Sequence, residues 1–239
     1  MEGKVGGQIM TFQAKCSKQD HQGNGLVLHE NEWIVVPGLL EGEEAVLEIV
    51  HAKKAKIKKI VTASTHRVKA PCPYYQECGG CQLQHMDYQE QLLRKHEYVM
   101  ACFSDNQLPT NDILYPIGMK DPFFYRSKAQ MVITEKNKRV MAGLYEESSH
   151  KVVNVDRCII QNEPANEIIK TLRELFEKHK IPPYNEDKQT GLIRHVMVKR
   201  SPSTEQILVV IVTSEEKFPG RNNVVSDLQI GRASCRERE

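Results

Sequence analysis

Three cysteines fall within ten residues, as Cys72-x5-Cys78-Gly79-Gly80-Cys81, and a fourth, Cys158, follows far downstream. No other feature constrains the fold as much, because three thiolates so close in sequence can converge on one centre. Gly79 and Gly80 let the backbone turn tightly and bring N–H groups toward sulfur. Pro71 and Pro73 stiffen the approach. Four thiolates suit either a [4Fe–4S] cluster or a structural zinc. Zinc sites commonly use two paired knuckles, so the x5 spacing and the lone Cys158 favour iron–sulfur. The competing reading is a set of core cysteines that happen to be close, although loop positions flanked by Pro and Gly are poor core builders. Cys16 and Cys102 sit inside strand and helix patterns and read as small buried hydrophobes.

The seven cysteines of the 239-residue chain are an odd count. The N-terminus, Met1-Glu2-Gly3-Lys4, lacks the apolar core of a secretion signal. A reducing, cytoplasmic compartment is therefore expected, and ligand cysteines rather than a disulfide framework. The longest apolar run, Ile207 to Val212, has six residues, against the ~20 of a membrane helix. With 40% hydrophobic and 27% charged residues, a wholly disordered or collagen-like chain is excluded. A net charge of +2, from 33 basic and 31 acidic residues, neither demands nor excludes nucleic acid, so local distribution must decide.

Along the chain, residues 8 to 63 read as five short strands separated by turn signals such as Gln22-Gly23-Asn24-Gly25, which points to a small barrel. The runs Leu26–Leu28 and Trp33–Val36 flank a hairpin at His29–Glu32. Trp33 is expected in the barrel core. Asp87 to Phe103 has helical apolar spacing. Strands are expected over Tyr125–Thr134, Val140–Tyr145 and Lys151–Val155, followed by an amphipathic helix over Asn162–His179. Ile181-Pro182-Pro183 stops that helix, and a last hairpin pairs Leu192–Lys199 with Gln206–Thr213. The fold class is thus α+β: an OB-like barrel, then a mixed α/β domain carrying the cysteines.

These residues carry a resemblance. Cys72-Pro-Tyr-Tyr-Gln-Glu-Cys78-Gly-Gly-Cys81-Gln-Leu-Gln-His85, with Tyr88, Gln91 and Lys95, resembles the iron–sulfur segment of bacterial RNA uracil-C5 methyltransferases, the 23S ribosomal RNA enzymes above all. Gly143 to His150, through Val155-Asp-Arg-Cys158, resembles the stretch with that family's fourth cluster ligand. Residues 8 to 63 are similar to a TRAM module. Phe124-Tyr125-Arg126-Ser127-Lys128 and Gly191-Leu-Ile-Arg194-His195 match further family patterns. The resemblance implies a TRAM barrel over residues 1–65, a central iron–sulfur and RNA-binding domain over 66–215, and a [4Fe–4S] cluster on Cys72, Cys78, Cys81 and Cys158. It also implies a Rossmann-like domain that binds S-adenosylmethionine, and a cysteine thiolate that attacks C6 of a flipped-out uracil so that C5 takes the methyl group.

That Rossmann-like domain is expected to be absent, since no glycine-rich strand-to-helix turn and no matching nucleophile are found. The chain is therefore expected to be inactive by itself. Residues 216–229 read as the start of a connection. Residues 230–239, including Cys235, resemble a translated sequencing adapter and read as a non-native tail. Lys53, Lys54, Lys56, Lys58 and Lys59 place five lysines in seven residues at a barrel edge, a composition that attracts phosphates or simply blunts an edge strand. Arg126 and Lys128 fall on one face of an expected strand with Phe124, a composition that stacks bases and pairs phosphates. Arg194 and His195 belong to a second basic group. The expected partner is 23S ribosomal RNA, with transfer RNA as the other candidate, bound by a monomer without a membrane. The rival readings are a stand-alone RNA-binding iron–sulfur protein without methyltransferase activity and a small electron carrier.

Overall fold

In the computed structural model, residues 10–147 and 149–228 are described. The tail at 230–239, with Cys235, lies outside them. The described residues divide into two compact units: residues 10–71 with 81–119, and residues 72–80 with 120–147 and 149–228.

The first unit is built on six strands: β1 (Thr11–Lys15), β2 (Lys18–Gln19), β3 (Gly25–His29), β4 (Glu32–Val36), β5 (Glu44–His51) and β6 (Lys54–Thr62). Their order is β1-β5-β6-β4-β3-β2. Only Cys16 and Ser17 separate β1 from β2, so one bent run pairs with β5 at its start and with β3 at its end. This closes the sheet into a barrel. All pairs are antiparallel except β4 with β6. The β3–β4 hairpin turns through Glu30 and Asn31, both at positive φ (49° and 63°), which matches the twist of a two-residue hairpin. Inside lie Cys16, Val27, Ile34, Val36, Leu39, Ala45, Leu47 and Ala55. Each fully buried Leu, Ile or Val side chain contributes about 1.5–3 kcal/mol. Gly25 is needed because a Cβ there would stand 2.7 Å from the Leu39 carbonyl.

Trp33 departs from expectation: it is 44% exposed. Alternation along β4 turns Ile34 and Val36 inward, so Trp33 faces out opposite Leu28, with the Lys18 ammonium 5.1 Å from its ring.

At one end of the barrel, the fully buried Glu43 carboxylate accepts from the Leu40 and Ser64 N–H groups (2.9 and 3.0 Å). It also accepts from Arg67 Nε and Nη2 (both 2.5 Å). Arg67 Nη2 reaches on to the Gly38 carbonyl at 2.7 Å. Burial pushes this carboxyl up, but the Arg67 and backbone donors outweigh it and hold it below the usual range. Helix α1 (Tyr88–Asp105) completes the unit, capped by the Asp87 side chain on the Glu90 N–H.

The second unit is a five-stranded antiparallel sheet with order β11-β10-β7-β8-β9. Its strands are β7 (Lys128–Lys136), β8 (Arg139–Tyr145), β9 (Val152–Asn154), β10 (Ile193–Arg200) and β11 (Ile207–Thr213). Helix α2 (Glu163–Lys178) packs across β8 and β10. It buries Ile169, Leu172, Leu175 and Phe176 with Met131, Ile133, Ala142, Ile193, Val196 and Val198 of the sheet in one core. Residues 221–228 form helix α3 (Arg221–Leu228), which docks on α2 by its buried Val224 and by Asp227. Asp227 pairs with Lys178 and His179, each at 2.8 Å. No helix of the structure is long and apolar enough to cross a membrane.

Candidate functional site

In the second unit the chain from Cys72 to Gly80 lies beside the end of β8. Cys78 bridges Glu146, and the Gly79 N–H donates to the Tyr145 carbonyl at 3.2 Å. A Cβ on Gly79 would stand 3.1 Å from the Glu147 backbone, so glycine permits this approach. The Tyr74 hydroxyl accepts from the Asp156 N–H at 3.3 Å. Cys72, Cys78 and Cys158 are thereby brought within reach of one another's charge. The Cys72 thiol is pushed up by burial and by the charges of Cys158 and Cys78. Cys78 is pushed up by burial and by Cys158. Cys81 belongs to the first unit. No disulfide joins the described cysteines. Among the described residues no three His, Cys, Asp or Glu side chains are gathered closely enough to hold a metal ion. The second unit thus supplies three sulfur donors of the right chemistry for a thiophilic centre.

Cys158 is buried, and Asn166 of α2 holds it by both backbone groups. Asn166 Oδ1 accepts from the Cys158 N–H (3.0 Å), and Nδ2 donates to its carbonyl (3.1 Å). Sequence reading missed Asn166, although its place four residues after the capping Asn162 puts both on one helix face.

The chain after Cys158 runs beside the Phe124–Lys128 segment. Phe124 N–H donates to the Ile159 carbonyl and Arg126 N–H to the Ile160 carbonyl, both at 2.9 Å. The regular strand expected from Tyr125 therefore starts only at Lys128. Phe124 instead takes a left-handed conformation (φ 52°), rare for an aromatic residue, which breaks the alternation. Its ring lies 5.2 Å from the Arg157 guanidinium, and Arg157 pairs with Glu163. Tyr125 is 52% exposed. Arg126 and Lys128 are exposed and make no side-chain hydrogen bond or ion pair among the described residues. Two cations, an exposed phenol and a guanidinium stacked on an aromatic ring thus share one short surface. Such a surface can pair phosphates and stack bases.

The other expected contacts are more committed. Lys56 and Lys58 both pair with Glu48, at 2.6 and 2.9 Å, and Lys53 lies 3.8 Å from Glu32. Lys54 is exposed at the start of β6. Arg194 pairs with Glu186 at 2.7 Å and lies over the Tyr184 ring. His195 is half-buried in β10, and burial, then Arg194, pushes its imidazole down, so it is neutral at pH 7. Within the second unit a groove of about 810 Å³ runs between the β7–β8 turn and α2. In its lining Arg173 pairs with Asp156 and Glu177 accepts from the Val140 N–H, while Lys136, Arg139, Lys170 and Glu174 make no ion pair among the described residues.

No protein-family profile matches the chain. It is 37% identical over 225 residues to an uncharacterized RNA methyltransferase of Bacillus cereus, covering 92% of this chain and 49% of that protein. It is 36% identical over 214 residues to an uncharacterized RNA methyltransferase of Halalkalibacterium halodurans, with 87% and 46% covered. Among solved structures, it resembles the Pyrococcus abyssi tRNA (uracil-54, C5)-methyltransferase in complex with S-adenosyl-L-homocysteine. The TM-score is 0.66 at 25% identity, over 89% of this chain and 48% of that one. The chain spans about half the length of the relatives it matches. These relatives are RNA methyltransferases, and the fold is shared with one of them.

Two expectations are corrected by this match. The methyltransferase domain was expected to be absent and the chain inactive, yet nearly the whole chain aligns with a methyltransferase solved with the demethylated donor. The reasoning from glycines was faulty in physical terms. A glycine-rich turn cradles a pyrophosphate on backbone N–H groups, and S-adenosylmethionine carries no phosphate. The dinucleotide glycine pattern is set by the pyrophosphate, so its absence does not exclude a site for this donor. Neither absence nor inactivity is retained.

Proposed function

We propose that the protein acts in S-adenosylmethionine-dependent C5-methylation of uridine in RNA, and that its described residues form an RNA-binding surface. The observation that carries the reading is the Phe124–Lys128 segment, where Arg126 and Lys128 stand exposed and unpaired beside Tyr125 and the Arg157–Phe124 stack. RNA methyltransferase relatives and a neighbour that acts on tRNA support it. The donor supplies an electrophilic methyl group, and no described residue is assigned to hold it. We favour 23S ribosomal RNA as substrate on the resemblance of the cysteine segment, with tRNA as the competing RNA. The barrel serves as a TRAM-like module in which Lys54 and the exposed Trp33 are free to meet RNA, and the β7–β11 unit carries the main contacts. Arg194 and His195 take part only where RNA displaces Glu186.

We further propose that Cys72, Cys78 and Cys158, with Cys81 added by sequence spacing, hold a [4Fe–4S] cluster that fastens the Cys72–Gly80 segment to the sheet. All-sulfur donors fit iron–sulfur or zinc. Anaerobic purification with iron, zinc and acid-labile sulfide analysis separates the two: iron and sulfide in equal amounts support the cluster, and zinc without sulfide contradicts it. The RNA reading is tested by fluorescence anisotropy with labelled 23S fragments and tRNA across a salt series. Binding that weakens linearly in log salt supports it. No binding to either RNA at low salt contradicts it.

A further inference from the structure

We propose that Asn162 is a positioning residue for RNA binding: its side-chain amide fixes the backbone of Arg126 and Ser127 and so holds the Phe124–Lys128 segment in its RNA-facing conformation. The inference rests on reading that segment as an RNA contact.

Asn162 is 6% exposed and has two separable tasks. Its Oδ1 accepts from the Ala165 N–H at 3.0 Å and caps α2. Capping needs only an acceptor, and Asp or Ser supplies one equally well. The Nδ2 group does something a cap does not require. It donates to the Arg126 carbonyl at 2.9 Å and reaches the Ser127 carbonyl at 3.4 Å. The Asn162 backbone N–H donates to the same Arg126 carbonyl at 3.2 Å. One residue at the start of a helix thus grips the carbonyl of the residue whose guanidinium stands free.

The segment needs such a grip. Phe124 is held at φ 52°, a conformation that persists only where its surroundings over-determine it. Two backbone hydrogen bonds to Ile159 and Ile160 support it, and the Arg157–Glu163 pair ties its ring to the first turn of α2. Asn162 closes this short ladder at its Arg126 end. Without the Nδ2 donors the segment relaxes in the free protein, and RNA must then order Arg126 and Tyr125 itself, which weakens binding.

The clean variant is Asn162→Asp, which keeps the capping acceptor but removes both N–H donors and sets a carboxylate against two carbonyl oxygens. Asn162→Ser provides a second cap-retaining variant should the first fail to fold. The probe is a fluorescein-labelled RNA stem–loop with a uridine-containing loop. Circular dichroism melting reports folding and anisotropy reports affinity. The expected result is near-wild-type melting with affinity about three- to tenfold weaker. Arg126→Ala weakens binding by itself, and the double variant Asn162→Asp/Arg126→Ala loses less than the sum of the two single losses, because the Arg126 part of the positioning has nothing left to act on. A merely structural role gives losses that add. Wild-type affinity in both Asn162 variants, or additive losses, overturns the inference. Wild-type affinity in Arg126→Ala overturns the RNA reading of the segment and the inference with it.

Discussion

Replacing Arg67 by Met isolates the value of a buried ion pair at the end of the barrel. The change removes the Nε and Nη2 bonds to Glu43 (both 2.5 Å) and the 2.7 Å bond to the Gly38 carbonyl. The Leu40 and Ser64 N–H donors remain on a carboxylate with no exposed surface. Stranding a buried charge costs about 3–5 kcal/mol. The two surviving donors, and an Arg67 side chain already 23% exposed, place the loss near about 3 kcal/mol. For a unit of about a hundred residues this lowers Tm by roughly 12–24 °C. The pH dependence has a definite sign. In the wild type the carboxyl is held below its usual value, so its contribution is present above the ordinary Glu pKa and lost as pH falls through the lowered folded one. In the variant, burial without the guanidinium raises the carboxyl, so its penalty is largest at neutral pH and is relieved by protonation. The gap between the two proteins therefore narrows from pH 7 to pH 4.5. Trp33, the single tryptophan, lies on β4 of the barrel, and its fluorescence during urea unfolding reads this unit. A loss below about 1 kcal/mol at pH 7, within the range of an exposed pair, refutes the reasoning, as does a gap that widens on acidification.

Other outcomes follow from single contacts. Asn166→Ala strands the buried N–H of Cys158 and leaves its carbonyl only the Gln161 N–H at 3.3 Å, and should cost about 1–3 kcal/mol in chemical denaturation; unchanged stability would show that the two bonds do not hold this loop. Arg126→Ala should weaken RNA binding and reduce the slope of log affinity against log salt by about 1, measured by anisotropy. Gly143→Ala places a Cβ 1.8 Å from the Val153 carbonyl, in the β8–β9 pairing, and should cost at least about 1–3 kcal/mol, seen as a lower melting temperature. Cys78→Ser should abolish iron and sulfide retention, whereas Cys16→Ser should leave both unchanged; Cys16 lies in the barrel core, where burial raises its thiol to about 11 and keeps it protonated.

The local grammar of the chain was largely legible. The helix over Asn162–His179, the Pro182-Pro183 stop after it and the hairpin turn between His29 and Glu32 all appear where residue type and spacing place them. Three features were not legible, for three physical reasons. Trp33 faces solvent because strand alternation, set by Ile34 and Val36, outranks its hydrophobicity. Phe124 leaves strand geometry because a distant segment, Ile159 to Asn162, supplies its hydrogen-bond partners. The lysine run looked like free charge, yet Glu48 stands across β5–β6 and takes two of its members. For Phe124 and the lysine run the deciding group lies on another segment, whereas for Trp33 it is the alternation of its own strand. Within the candidate site, the cysteines and Arg126 stood out by type and spacing, while Asn162, Asn166 and Arg157 carry no motif and are identified only by what they touch.

The central claim, uridine C5-methylation in RNA, is met most directly in the cell. The gene is disrupted in its source organism, ribosomal and transfer RNA are purified separately, and each is digested to nucleosides for mass spectrometry of 5-methyluridine. The account predicts that 5-methyluridine falls in one RNA class, ribosomal RNA first, and returns when the gene is restored. An unchanged 5-methyluridine content in both classes would contradict it.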